Sequence, residues 1–128
     1  MKEETMNILK ALSRRFPSLQ PLEESIALAA ALMRDCFLSG GTLYLCGNGG
    51  SAADCEHIAG ELLKSFKLSR PLPGKFRETL LSMGEDGRRV AEKTEGGLPV
   101  VSLCGHPAFA TAYANDKDAA FVYAQQIC

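Results

Sequence analysis

The chain has almost no net charge: 14 lysines and arginines against 15 acidic residues leave −1 over 128 residues. That balance removes any general pull toward nucleic acid or an anionic membrane surface. An anion site must therefore be local, built from backbone donors or single basic residues. No C-x-x-C pair occurs, and the cysteine count of five is odd. Both facts speak against a disulfide framework and for reduced thiols at Cys36, Cys46, Cys55, Cys104 and Cys128, as expected of a cytoplasmic protein. No apolar run approaches the roughly 18–20 residues of a membrane span. The charged start Met1-Lys-Glu-Glu lacks the apolar stretch of a secretory signal. Internal repeats and low-complexity segments are absent as well.

What is present is ordinary for a soluble globular chain, 46% hydrophobic and 23% charged. The length suits one small domain with a real core. Residues 2–16 carry Met6, Leu9, Leu12 and Phe16 at helical spacing. A second helix is expected over 21–39, with Pro21 in its first turn, an apolar surface over much of its circumference, and Gly40-Gly41 as its stop. Thr42–Cys46 reads as a short buried strand, with a helix over 52–67 capped by Ser51. Residues 75–94 read as a polar helix or helix pair interrupted at Gly84 and Gly87. Leu98–Cys104 is the second strand, and a last helix begins after Asp116. Strand–helix alternation predicts an α/β domain with a parallel sheet, yet two strands are fewer than such a sheet needs. The expectation is the N-terminal portion of a longer α/β protein, or a chain whose missing strands come from a partner.

The corner Cys46-Gly-Asn-Gly-Gly-Ser51 is the most informative segment. Glycines at 47, 49 and 50 let backbone N–H groups approach an anion, the following helix dipole favours negative charge, and Ser51 adds a hydroxyl. A tight turn that merely needs glycine is the plain alternative. The stretch also fits a relaxed dinucleotide fingerprint, but no acidic residue closes a second strand about 20 positions on. His57 and Glu61, four apart, share one helix face. They could be two metal ligands, a base with its partner, or a solvated pair; two residues alone cannot close a zinc site. Asn115-Asp116 reads as a polar turn with Asp116 as an N-cap, or as a contact for sugar hydroxyls. His106 reads as a loop histidine. Lys64, Lys67 and Arg70 could steer a phosphate ester or simply be solvated.

The run Cys46-Gly-Asn-Gly-Gly-Ser-Ala-Ala-Asp-Cys-Glu-His57-Ile-Ala-Gly-Glu61, with Arg70-Pro71 and Ala114-Asn-Asp116, resembles the sugar isomerase (SIS) domain family, and within it the phosphoheptose isomerase branch. The resemblance covers most of residues 1–71 and 98–128. It implies a three-layer α/β/α parallel-sheet fold related to flavodoxin-like nucleotide folds, incomplete here. Residues 1–128 would be the N-terminal part of one SIS domain: 1–39 helical, 42–67 strand, phosphate loop and helix, 72–97 a helical insertion, 98–128 strand, loop and helix.

By the same resemblance Asn48, Gly49, Gly50 and Ser51 match a substrate-binding loop, and Asn115 and Asp116 a second contacting pair. His57 and Glu61 match zinc ligands, with Glu61 also the catalytic base. The implied reaction interconverts an aldose and a ketose phosphate, such as sedoheptulose 7-phosphate, by proton abstraction beside a carbonyl through an ene-diol. The family's serine/threonine-rich phosphate loop and its later glutamine and histidine are not found, so the remaining zinc ligands are missing and these residues alone are expected to be inactive. Ser65 stands where phosphoheptose isomerases have an arginine. Relatives assemble as homodimers or homotetramers. A non-catalytic phosphosugar-binding or protein-binding adaptor is the rival class; such adaptors lack the glutamate matching Glu61.

Overall fold

A computed structural model describes residues 3–128 as two compact units, one ending at Gly41 and the other running Thr42–Cys128. In the first, α1 (Glu3–Arg15) has Glu3 and Glu4 in its first turn and Arg14 and Arg15 in its last, matching the helix dipole at both ends. The expected start at Lys2 lies outside the described residues. Leu9 and Ser13 are buried, and the Ser13 hydroxyl donates to the Leu9 carbonyl at 3.2 Å. The second helix starts later than expected. Prolines 17 and 21 lack an N–H, so Pro17–Leu22 tightens into a 3₁₀ segment and α2 spans only Glu23–Leu38. Ile26, Ala27 and Ala30 of α2 meet Ile8, Leu9 and Leu12 of α1 around a small apolar cavity of about 160 Å³. Leu28 and Leu32 remain exposed. Gly40, at φ 79°, ends the helix.

In the second unit β1 (Leu43–Leu45) pairs in parallel with β2 (Val100–Ser102), in the register Leu43 to Val100 and Leu45 to Ser102. Pairing extends by one bond at each end, Leu43 N–H to the Pro99 carbonyl and Leu103 N–H to the Leu45 carbonyl, both 2.9 Å. Helix α3 (Gly50–Leu63) packs on β2, and Cys55 and Ala59 of the helix and Val100 of the strand are buried. Alternation turns Tyr44 and Val101 to the opposite face. There they line a cavity of about 380 Å³ with Phe109 of α6 (Pro107–Asp116) and with Gln125 and Gln126. Helices thus lie on both faces of a parallel sheet, the α/β/α order expected.

Between α3 and β2 stand α4 (Gly74–Ser82) and α5 (Gly84–Lys93), a hairpin broken at Gly84, whose φ of 80° suits glycine. Leu80 and Ala91 are its buried residues along with Gly87. The base of this hairpin is tied to the end of α3. The Arg70 guanidinium donates to the carbonyls of Leu62 (2.7 Å) and Gly96 (2.9 Å), while Gly96 N–H donates to the Arg70 carbonyl at 2.6 Å. One Glu95 carboxylate oxygen accepts from both the backbone N–H and the hydroxyl of Ser65, at 2.6 and 2.9 Å. These bonds explain why α3 ends at Leu63 rather than at 67. Its last carbonyls and the Ser65 amide are claimed by groups beyond the helix.

The Ser65 donors, and secondarily Arg70, hold the Glu95 carboxyl below its ordinary value. A depressed folded-state pKa contributes stability that is present above the unfolded value and lost as pH falls through the folded one. Glu95→Gln is therefore expected to lower the melting temperature at pH 7. The gap to wild type should close as pH drops below about 4.3, the ordinary glutamate range. Thermal unfolding between pH 7 and 3 checks this; a gap independent of pH would rule out the carboxylate's role.

Two expectations near the C-terminus need correction. Asn115 and Asp116 do not open the terminal helix; they are the last residues of α6, and the Asn115 side-chain amide donates to Asp116 Oδ1 at 2.9 Å. The N-cap role assigned to Asp116 belongs to Asp118, whose carboxylate accepts from Ala120 N–H at 2.8 Å. That cap opens a short 3₁₀ turn (Ala119–Phe121) leading into α7 (Val122–Gln125).

Candidate functional site

The corner between β1 and α3 is built by two glycines with distinct tasks. Gly49 sits at φ 57° and ψ −125°, a conformation other residues rarely adopt. At Gly47 a Cβ would lie 2.8 Å from the Ser51 Cβ and 2.9 Å from its backbone. Gly50 is different: a Cβ there would meet nothing within 4 Å. The turn explains Gly47 and Gly49, and leaves the open space beside Gly50 unused by the fold.

Ser51 is not the N-cap. Gly49 occupies that place, and Ser51 is the second residue of α3, with its amide turned back to the Asn48 carbonyl at 3.1 Å. The positive φ of Gly49 closes the turn before the serine. Among the described residues, the N–H groups of Asn48, Gly49 and Gly50 meet no protein acceptor. They are the free donors of this corner, and the Ser51 amide is not among them.

Farther along α3, His57 Nε2 lies 3.3 Å from Glu61 Oε1. The imidazole is 78% exposed and the carboxylate 39%. Among the described residues no group of three metal-binding side chains forms. The pair nonetheless fits half of a zinc site. Donors held at roughly 2.0–2.1 Å by a tetrahedral zinc sit about 3.3–3.4 Å apart. The backbone carrying Glu61 is steadied by Arg70, which lies 3.4 Å from the Glu61 carbonyl. Arg70 is thus engaged with the end of α3, whereas Lys64 and Lys67 are exposed.

A cleft of about 490 Å³ opens beside the corner, lined by Asn48, Thr111, Ala114, Tyr123 and further residues of the α6–α7 segment. Asn115, Asp116, His57 and Glu61 do not line it. The structure therefore brings together three local groupings: the 48–51 corner, the His57–Glu61 contact and the Asn115–Asp116 contact. His106 is exposed at the start of α6 and lines the cavity over Tyr44.

Sequence reasoning missed Tyr123. Its hydroxyl lies 2.6 Å from the Gly47 carbonyl oxygen and 2.8 Å from the Asn48 side-chain oxygen. The Cys104 thiol reaches the same carbonyl at 3.3 Å. Burial, and then the neighbouring Cys104, push the Tyr123 hydroxyl above its usual pKa. Burial and Cys104 push the Cys55 thiol up likewise. Both groups keep their protons at neutral pH, and all five cysteines are unpaired. The Tyr123 contacts span 75 residues or more, so no local pattern announces them.

A parallel sheet covered by helices on both faces, with a glycine corner leading from a strand into a helix, defines an α/β domain. The chain belongs to the SIS domain family, whose profile matches residues 7–103. It is similar to the phosphoheptose isomerases of Shewanella piezotolerans and Shewanella oneidensis, at 30% identity over 118 residues in each case, covering 92% of this chain and 47% of theirs. Its fold is similar to that of phosphoheptose isomerase GmhA from Neisseria gonorrhoeae, with a TM-score of 0.59 and 24% identity over 96% of this chain and 50% of that one. The chain spans about half the length of these relatives.

Proposed function

We propose that the protein to which these residues belong is a phosphosugar isomerase, interconverting an aldose and a ketose phosphate such as sedoheptulose 7-phosphate. The observation that carries this reading is that one helix, α3, holds free amides at its start and a touching imidazole–carboxylate pair further along. In this reading the N–H groups of residues 48–50 and the Ser51 hydroxyl hold the substrate at the corner. Asn48, with Asn115 and Asp116, hydrogen-bonds the sugar hydroxyls. Glu61 takes the proton from the carbon beside the carbonyl as the carbonyl oxygen gains one, giving an ene-diol, and returns it to the neighbouring carbon as the other hydroxyl gives up its own. His57 and Glu61 would hold a zinc ion together with ligands from outside these residues. A bound zinc would supply polarisation of the carbonyl. A carboxylate cannot be a tight ligand and a free base at once, so Glu61 would change role between steps. The near-zero net charge fits a small anionic substrate rather than nucleic acid. Unpaired thiols support a cytoplasmic setting, and the exposed Leu28 and Leu32 of α2 support a homodimer or homotetramer.

Incubating the intact gene product with sedoheptulose 7-phosphate in deuterated water, with and without added zinc, tests the proposal. Turnover with solvent deuterium appearing beside the carbonyl is the expected result. No turnover and no binding in either condition would overturn it. Gly50→Ala separates binding from folding, since its Cβ enters space the fold leaves open. We expect an unchanged melting temperature with at least a tenfold loss of sugar-phosphate affinity by calorimetry; unchanged affinity would place the phosphate elsewhere.

A further inference from the structure

We infer that Tyr123 is a positioning residue that sets the orientation of the Asn48 side-chain amide, so that Asn48 reads a sugar hydroxyl rather than the phosphate. The inference rests on the reading of the corner as a phosphosugar site. The Tyr123 hydroxyl has one proton and two acceptor oxygens beside it, the Gly47 carbonyl oxygen at 2.6 Å and the Asn48 side-chain oxygen at 2.8 Å. A backbone carbonyl can only accept, so at 2.6 Å the proton must go to Gly47. The tyrosine oxygen is then an acceptor toward Asn48. Two oxygens without a proton between them would repel at 2.8 Å, and turning the Asn48 amide over brings its NH₂ group, in place of the oxygen, against the tyrosine as donor. Which end of an asparagine amide is oxygen is decided by such a network.

The consequence is chemical. With one N–H spent on Tyr123, Asn48 offers a carbonyl oxygen and one remaining N–H. A phosphate oxygen wants donors only; a sugar hydroxyl both gives and takes a hydrogen. Asn48 and Tyr123 both line the cleft of about 490 Å³ beside the corner. The amides of residues 48–50 remain as donors for the phosphate. Burial keeps the tyrosine protonated, so the arrangement persists through neutral and mildly alkaline pH.

Tyr123→Phe in the intact gene product keeps the ring and removes only the hydroxyl. Affinities for sedoheptulose 7-phosphate and for inorganic phosphate are measured by calorimetry, beside Asn48→Ala and the double variant. The expected result is a roughly tenfold loss for the sugar phosphate, the scale of one net hydrogen bond, with phosphate affinity unchanged. The double variant should be no worse than Asn48→Ala alone. Equal losses for both ligands, losses that multiply in the double variant, or no loss in Tyr123→Phe would each overturn the inference. The Asn48 side-chain NH₂ signals in a ¹⁵N spectrum give a readout without ligand. Wild type should show one hydrogen protected from exchange, and Tyr123→Phe should show none. Wild-type protein that binds neither ligand yet shows the protected hydrogen would overturn the phosphosugar reading while upholding the Tyr123–Asn48 contact.

Discussion

Replacing Glu61 with glutamine in the intact protein is expected to lower kcat for isomerisation roughly 10²–10⁴-fold, the range lost with a positioned general base. Glutamine keeps the length and the acceptor oxygen of glutamate but cannot take a proton from carbon. The fold should hardly notice. The His57–Glu61 contact joins a side chain 78% exposed to one 39% exposed, and pairs of that kind contribute about 0.2–1 kcal/mol. The Leu62 carbonyl next along the helix is held by Arg70, so the side chain at 61 should keep its place. Steady-state kinetics paired with thermal unfolding checks both halves. Full activity in the variant would remove Glu61 from the chemistry and favour the phosphosugar-binding adaptor over the enzyme.

The largest expected loss of stability lies away from the site, at Gly87. A Cβ there would stand 1.9 Å from the Leu80 carbonyl oxygen and 2.8 Å from the Met83 Cβ. The first neighbour is backbone of α4 and cannot swing aside, so α5 would have to back away and uncover Leu80 and Ala91. Overpacking of this kind costs about 3 kcal/mol or more when the neighbour is rigid. For Gly87→Ala that corresponds to a fall in melting temperature of roughly 10 °C or more. Gly74→Ala is the control: it lies in the same hairpin and its Cβ would meet nothing within 4 Å. Thermal unfolding of both, with amide exchange at Leu80 as a local probe, decides the matter. Equal melting temperatures would mean that α4 and α5 do not pack as described.

The strand, glycine corner and helix around residues 43–63 were legible because their signals are local. A short apolar run, glycines at a turn and a helix-compatible stretch sit within one window. Long-range effects were not. Helix α3 stops at Leu63 because Glu95, 30 residues away, takes the Ser65 amide. Asn115-Asp116 has turn composition, yet the alanine-rich run from Pro107 carries the helix through it and leaves capping to Asp118. The glycines of the corner looked alike in sequence. Only the built turn separates Gly47 and Gly49, which the backbone requires, from Gly50, which it does not. Tyr123 was invisible for the same reason: its partners are brought to it by the pairing of β1 with β2.

The bonds joining residues 65 and 70 to residues 95 and 96 draw the two ends of the α4–α5 hairpin together. Whatever happens between those ends, the chain leaves α3 and returns toward β2 at the same two points. The segment is in effect a cassette, free to lengthen, shorten or be exchanged without shifting α3 or the start of β2. Grafting a reporter peptide at Gly84, the tip of the hairpin, would make use of that freedom.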